Sequence, residues 1–154
     1  MTQYWLMKSE PDDCSIDDAM AAPDATVPWT GVRGFQARNF MRDQMKVGDG
    51  VLFYHSSCPQ PGVVGVARVA SDTRPDPTQF DPQSPYYDAD SKADKPRWVL
   101  LDVQALRKTR LLSLPEMRVT PELSDMIVLR RGNRLSITPV EEKHWKFIVD
   151  NMLA

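Results

Sequence analysis

Of the 154 residues, 42% are aliphatic or aromatic and 26% charged, which excludes a disordered chain and allows one substantial core. A net charge of −2, from 19 basic and 21 acidic side chains, excludes a grip on nucleic acid through overall positive potential, so any such grip must be local. No stretch reaches the roughly 18 consecutive apolar residues of a membrane span. No leader of basic then apolar residues opens the chain, and Cys14 and Cys58 make no disulfide framework; these features predict one cytoplasmic domain over 1–154, off the membrane, with free thiols.

In chain order, 3–8 is apolar on both alternating sides and predicts a central strand ending in the polar Lys8-Ser9-Glu10-Pro11. Ser15 caps a short helix over 16–21 with Asp18 at its third position, and Pro23 stops it. Trp29-Thr30-Gly31-Val32-Arg33-Gly34 is a loop whose glycines let backbone approach a ligand. Over 35–46, Ala37, Phe40, Met41 and Met45 recur at helical spacing, leaving Arg38, Asn39 and Arg42 off the apolar stripe. Gly48-Asp49-Gly50 turns the chain into a buried strand at 51–54, which ends at His55 and Ser56. Glycine loop, basic helix face and polar strand end can converge on one concavity walled by Trp29; a plain turn, solvated helix and core strand account for the same residues equally well.

A curved strand is expected at 63–69, where Gly65 and Ala67 are small. His55 and Cys58 suggest a metal pair, but zinc needs three or four protein ligands and His144 stands alone on a late helix, so no metal site is expected. The proline-rich 73–96 predicts a long loop, anchored through Tyr86 and Tyr87, that walls the concavity or merely fastens itself. A long strand over 98–106 continues into the basic 107–110, and capped short helices follow at Ser113 and at Thr120-Pro121. Arg130-Arg131-Gly132-Asn133-Arg134 is a tight turn able to offer guanidinium groups to phosphates, although arginines so placed are also ordinary surface. A short strand at 135–137 is expected next, then a capping box at Thr138-Pro139-Val140-Glu141 opening a helix whose Val140, Trp145, Ile148, Val149 and Met152 share a face.

Five blocks also carry a resemblance: YWLMKSEP at 4–11, WTGVRGFQARNFMRDQMKVGDGVLFYHS at 29–56, PGVVGVARV at 61–69, SKADKPRW at 91–98 and LRRGNRLSITPV at 129–140. Together they span nearly the whole chain and resemble the EVE domain family. The resemblance implies an α+β, PUA-like fold: a curled mixed β-sheet or pseudo-barrel with short helices around it, related to YTH and ASCH domains. It further implies a nucleic-acid reader, without cofactor or metal, that captures a modified base such as a methylated or hydroxymethylated cytosine. Trp29 is the expected stacking wall. By the resemblance, Ser9, Gly31, Val32, Arg33, Gln36, Asn39, His55 and Ser56 line the pocket, and Arg38, Arg130, Arg131 and Arg134 meet phosphates of DNA or RNA. The chain departs from the family pattern at Cys14, where an aromatic residue is common, and at Gly34-Phe35, where Asn-Tyr is common. The other readings are a nuclease using His55 or a carboxylate as general base and a small-molecule or protein-interaction module; the unit is expected to act as a monomer.

Overall fold

The computed structural model describes residues 2–154. Strand β1 (Tyr4–Ser9) lies inside the sheet, and the chain returns to pair beside it in parallel as β3 (Gly50–His55), with Trp5 opposite Val51 and Ser9 opposite His55. A parallel pair needs a crossover. Here it contains α1 (Ile16–Ala21), the short strand β2 (Thr26–Pro28) and α2 (Phe35–Asp43). The Ser15 capping box forms as expected, its side chain taking Asp18 N–H and Asp18 bonding back to Ser15 N–H. Helix α2 ends three residues short of the expected Lys46, because Met45 and Asp49 are already held in the turn by bonds to the Phe40 carbonyl and from Lys46 N–H.

Strand β4 (Gly62–Val69) runs antiparallel to β3, and β7 (Asp102–Ser113) antiparallel to β4, with register shifts on both ladders that curl the sheet. Gly65 sits under α1: a side chain there would stand 2.6 Å from Ile16 Cδ1, so its absence sets how closely helix and sheet meet. The expected strand at 98–106 is instead two pieces, β6 (Val99–Leu100) and β7. The break falls at Leu101, whose carbonyl accepts Trp29 N–H at 2.9 Å. Strand β6 pairs with β5 (Arg74–Pro75) as a separate ribbon.

The strictest correction concerns the C-terminal part. Residues Ile137–Val140 form β8, which covers the outer edge of β1 with Trp5 opposite Pro139, so the expected capping box at 138–141 does not open a helix. Helix α4 (Glu142–Asn151) starts later, from Glu141, without a side-chain cap bond. The outer hydrogen-bonding edge of β1 needs a partner, and Pro139 costs no ladder bond because β8 is itself the outermost strand. The six-stranded order is β2-β7-β4-β3-β1-β8.

Alternation along β1 explains the apolar run. Trp5 and Met7 pack with Phe53, Ile16, Ala37 and Met41 on one face, while Leu6 packs with Leu52, Tyr54 and Ile148 on the other. The second face is closed by α4, by α3 (Leu114–Arg118) and by short 3-10 turns that bury Leu123 and Val128. Among the described residues no helix is long and apolar enough to cross a membrane.

Segment 73–96 is ordered by polar groups. Gln79 is fully buried: its amide donates to the carbonyls of Asp76 (2.7 Å) and Trp98 (2.8 Å), and its oxygen accepts Trp98 N–H (3.0 Å) and the Ser91 hydroxyl. A buried amide with all these groups matched replaces the apolar core that this stretch lacks.

Candidate functional site

A cavity of about 720 Å³ opens where β1 and β3 end together. Its floor follows from the parallel register: Ser9 and Ser56 arrive side by side, with Ser56 N–H on the Ser9 carbonyl at 3.0 Å. Trp29 closes one side. Its ring meets Phe53 edge-on at 5.2 Å and is only 6% exposed, so most of its surface belongs to the core. No buried side-chain nitrogen or oxygen among the described residues is unpaired, and the indole N–H has no protein partner there, so that donor is reachable from outside the core.

Gly31 adopts φ +81 and donates its N–H to Asp76 Oδ2 at 2.8 Å. The Tyr86 ring lies directly on it: a Cβ added to Gly31 would be 2.7 Å from Cζ of that ring. Gly31→Ala is therefore expected to push Tyr86 off the cavity wall and leave the segment around it more open to proteolysis; cleavage at the wild-type rate would refute this contact.

Arg33, expected in the pocket, is instead the clamp behind it. Its guanidinium donates to the Tyr86 carbonyl at 2.7 and 3.0 Å, to Thr78 Oγ1 at 2.9 Å, to Asp76 Oδ2 at 3.2 Å and to its neighbour's Val32 carbonyl at 2.9 Å. It also sits between the rings of Tyr86 and Trp98. Asp76 is wholly buried; burial pushes its carboxyl up, but bonds from Thr78, Gly31 and Arg33 outweigh this and hold it below the ordinary range.

Ser9, Trp29, Gly31, Val32, Ser56 and Arg134 are brought together around the cavity. Besides Arg33, six other expected residues are not. Gln36 is exposed on α2 outside the lining, and Asn39 accepts both Arg38 Nε and Nη2. Arg38, expected on phosphate, also donates to the Arg97 carbonyl at 3.1 Å and covers the Phe35 and Trp98 rings, so it is occupied within the protein. His55 opens on a second, shallower hollow beside Cys58 and Lys108, and its Nε2 accepts Ile16 N–H at 3.0 Å. Burial, the main cause, keeps the His55 ring neutral by lowering its pKa. Arg130 and Arg131 are exposed on their turn, and among the described residues neither they nor Arg134 enters an ion pair.

Sequence reasoning missed Asp13 as a cavity residue; Lys8 and Glu10, read only as the polar end of β1, and Tyr86, read as an anchor that walls the concavity or merely fastens the loop, line the cavity too. Lys8 is half-buried, its pKa lowered by desolvation, with its ammonium 5.9 Å from the Tyr54 ring centre. His144, expected to stand alone, is buried with Asp125 at 2.8 Å and Glu141 at 4.0 Å, a set of metal-ligating type. Lys143 is 3.1 Å from Asp125 and 3.4 Å from Glu141, and its bond is the main reason the Asp125 carboxyl is lowered to about 2, so a cation already answers these carboxylates.

The chain has counterparts in sequence and in fold. Mouse thymocyte nuclear protein 1 is 40% identical over 97% of this chain and 73% of its own length. A crystal structure of a protein from Pseudomonas putida superposes with TM-score 0.90 at 44% identity, covering 96% of this chain and 97% of that one. The human THYN1 protein in complex with 5-methylcytosine-containing DNA superposes with TM-score 0.89 at 38% identity, covering 97% and 96%. Residues 3–151 match the pattern of the EVE domain over nearly the whole chain, and the chain belongs to the EVE domain family.

Proposed function

We propose that this chain binds DNA and captures a 5-methylated cytosine in the cavity at the ends of β1 and β3. The observation that carries the reading is an aromatic-walled, donor- and acceptor-lined cavity in a chain whose human relative is seen with 5-methylcytosine-containing DNA. A base turned out of a duplex costs a few kcal/mol, and contact with an aromatic wall returns roughly 1–3 kcal/mol, so bonds to the base edge decide selectivity. Trp29 supplies the wall and one N–H, and the serines at the strand ends supply hydroxyls.

Phosphates are met by the turn at 130–134, whose arginines are exposed and outside the protein's own ion pairs, and not by Arg38. An anionic partner thus approaches from this side. The bond from Ile16 N–H to His55 Nε2 counts against a hydrolase with His55 as its base, because the lone pair a general base requires is engaged.

The test is a titration of strands carrying one 5-methylcytosine or one cytosine, at several salt concentrations. Wild type is expected to prefer the methylated strand. Arg134→Ala and Arg130→Ala are expected to weaken both strands alike and to make the slope of log affinity against log salt shallower by roughly 0.7–0.9 each. A change in base preference at constant slope would show that these arginines read the base instead.

A further inference from the structure

The turn that follows β1 is closed by Asp13 N–H and Cys14 N–H on the Glu10 carbonyl, both at 2.9 Å, and presents two carboxylates to the cavity. Asp13 Oδ2 accepts the Tyr86 phenol at 2.6 Å; Oδ1 has no protein donor among the described residues. Tyr86 is itself held firmly. Arg33 bonds its carbonyl, Ser84 Oγ accepts its N–H at 3.1 Å, and its ring rests on Gly31. The Asp13 bond is the main cause pushing the phenol up to about 12, so it stays a donor throughout the working range of pH.

Two other oxygen-bearing groups near the cavity are engaged. Asp76 Oδ1 takes Thr78 N–H and Oγ1 while Oδ2 takes Gly31 and Arg33, and the Ser9 hydroxyl donates to the Cys14 carbonyl at 2.6 Å. What remains for a ligand is a carboxylate oxygen of Asp13, the Glu10 carboxylate, hydroxyls such as that of Ser56, and donors from Trp29, Lys8 and Arg134; of the acceptors, only the carboxylates cannot also donate.

We infer that Asp13, held in place by Tyr86, is the acceptor that makes this cavity select a base edge bearing an exocyclic amine; this rests on the base-binding reading of the same cavity. An ionised carboxylate accepts and cannot donate. It complements the N4 amine of cytosine and opposes the O4 carbonyl of thymine or uracil. The neighbouring donors suit the rest of a cytosine edge, which follows its amine with two acceptors. Thymine and 5-methylcytosine carry the same 5-methyl group, so comparing them isolates the reading of the edge from the reading of the methyl.

Binding by fluorescence anisotropy is measured with one labelled strand carrying 5-methylcytosine, cytosine or thymine at a single position. Wild type is expected to favour 5-methylcytosine over thymine on the order of 10- to 100-fold. In Asp13→Asn the amide can turn its NH₂ toward O4, and the ratio is expected to collapse toward unity through tighter thymine binding as well as weaker 5-methylcytosine binding. Tyr86→Phe is expected to weaken 5-methylcytosine binding while the ratio keeps its direction. A folded Asp13→Asn protein, checked by circular dichroism, that keeps the wild-type ratio overturns the inference, and the base reading survives if the methylated strand is still preferred over cytosine. Unchanged 5-methylcytosine affinity in Tyr86→Phe overturns the part given to Tyr86. Wild type that ignores the methyl group overturns the base reading and this inference together.

Discussion

Trp29→Ala is expected to lower the melting temperature by about 10 °C and to erase selectivity for a methylated base. The first effect follows from burial. With 6% of its surface exposed and an edge-on contact to Phe53, Trp29 is core as much as cavity, and removing such a side chain costs about 3–5 kcal/mol. In a chain of this size each kcal/mol moves the midpoint by roughly 2–4 °C. The second effect follows from losing the wall and its N–H, while arginines 130, 131 and 134 retain a weak, salt-sensitive affinity. Trp29→Phe separates the two: it keeps most of the packing but lacks the indole N–H. Calorimetry and strand titrations on both variants give the answer, and undiminished methyl preference in the phenylalanine variant would show that the indole N–H does not touch the base.

Arg33→Ala is expected to be comparably severe without touching the cavity floor. It leaves Asp76 buried without its cation, a change that costs about 3–5 kcal/mol for a fully buried pair and about 2–4 here, since Arg33 is 22% exposed at its side chain. The loss should appear as a lower melting temperature together with rapid proteolysis of 73–96. It also has a pH signature. Asp76 has a folded pKa below the ordinary carboxylate value, so its contribution is fully present above about pH 4 and is lost as pH falls through that lowered folded value. Removing Arg33, the least of the bonds that lower this value after those of Thr78 and Gly31, raises it slightly and makes the acid-side loss a little less steep. Wild-type stability that fell instead as pH rose from neutral, or an unchanged acid slope in the variant, would contradict the assignment.

The residues that sequence reasoning placed well and those it placed badly differ in how far away their partners are. Ser15 and Asp18 cap α1 through a bond three residues long, and Trp5, Leu6 and Met7 declare a doubly buried strand by composition. Thr138-Pro139-Val140-Glu141 satisfies the same local capping rule yet is a strand, because β1 needs a partner that a window of ten residues cannot show. Arg33 and Arg38 look like free cations when read locally. Their acceptors, Asp76, Tyr86 and Arg97, lie 43 to 59 residues on. His55, the last residue of β3, and Ser56, just past its end, are adjacent in sequence but line different hollows. Asp13 and Tyr86 meet across 73 residues, a pairing for which the chain carries no local sign beyond the tyrosines' evident role as anchors.

The amide of Gln79 and the guanidinium of Arg33 give the cavity wall a character that an oily wall would lack. Hydrogen bonds are directional and weaken steeply when bent, so a wall fastened by them does not yield gradually; it holds or it lets go. Affinity and residence time then come under separate control. On the proposed reading, groups that face the ligand would set how strongly it is held, whereas Gln79, Ser91 and Arg33, which bond within the protein, would set how readily the wall opens and hence how long a captured ligand stays. Drift in the buried set can therefore retune the timing of a readout while leaving what is read unchanged.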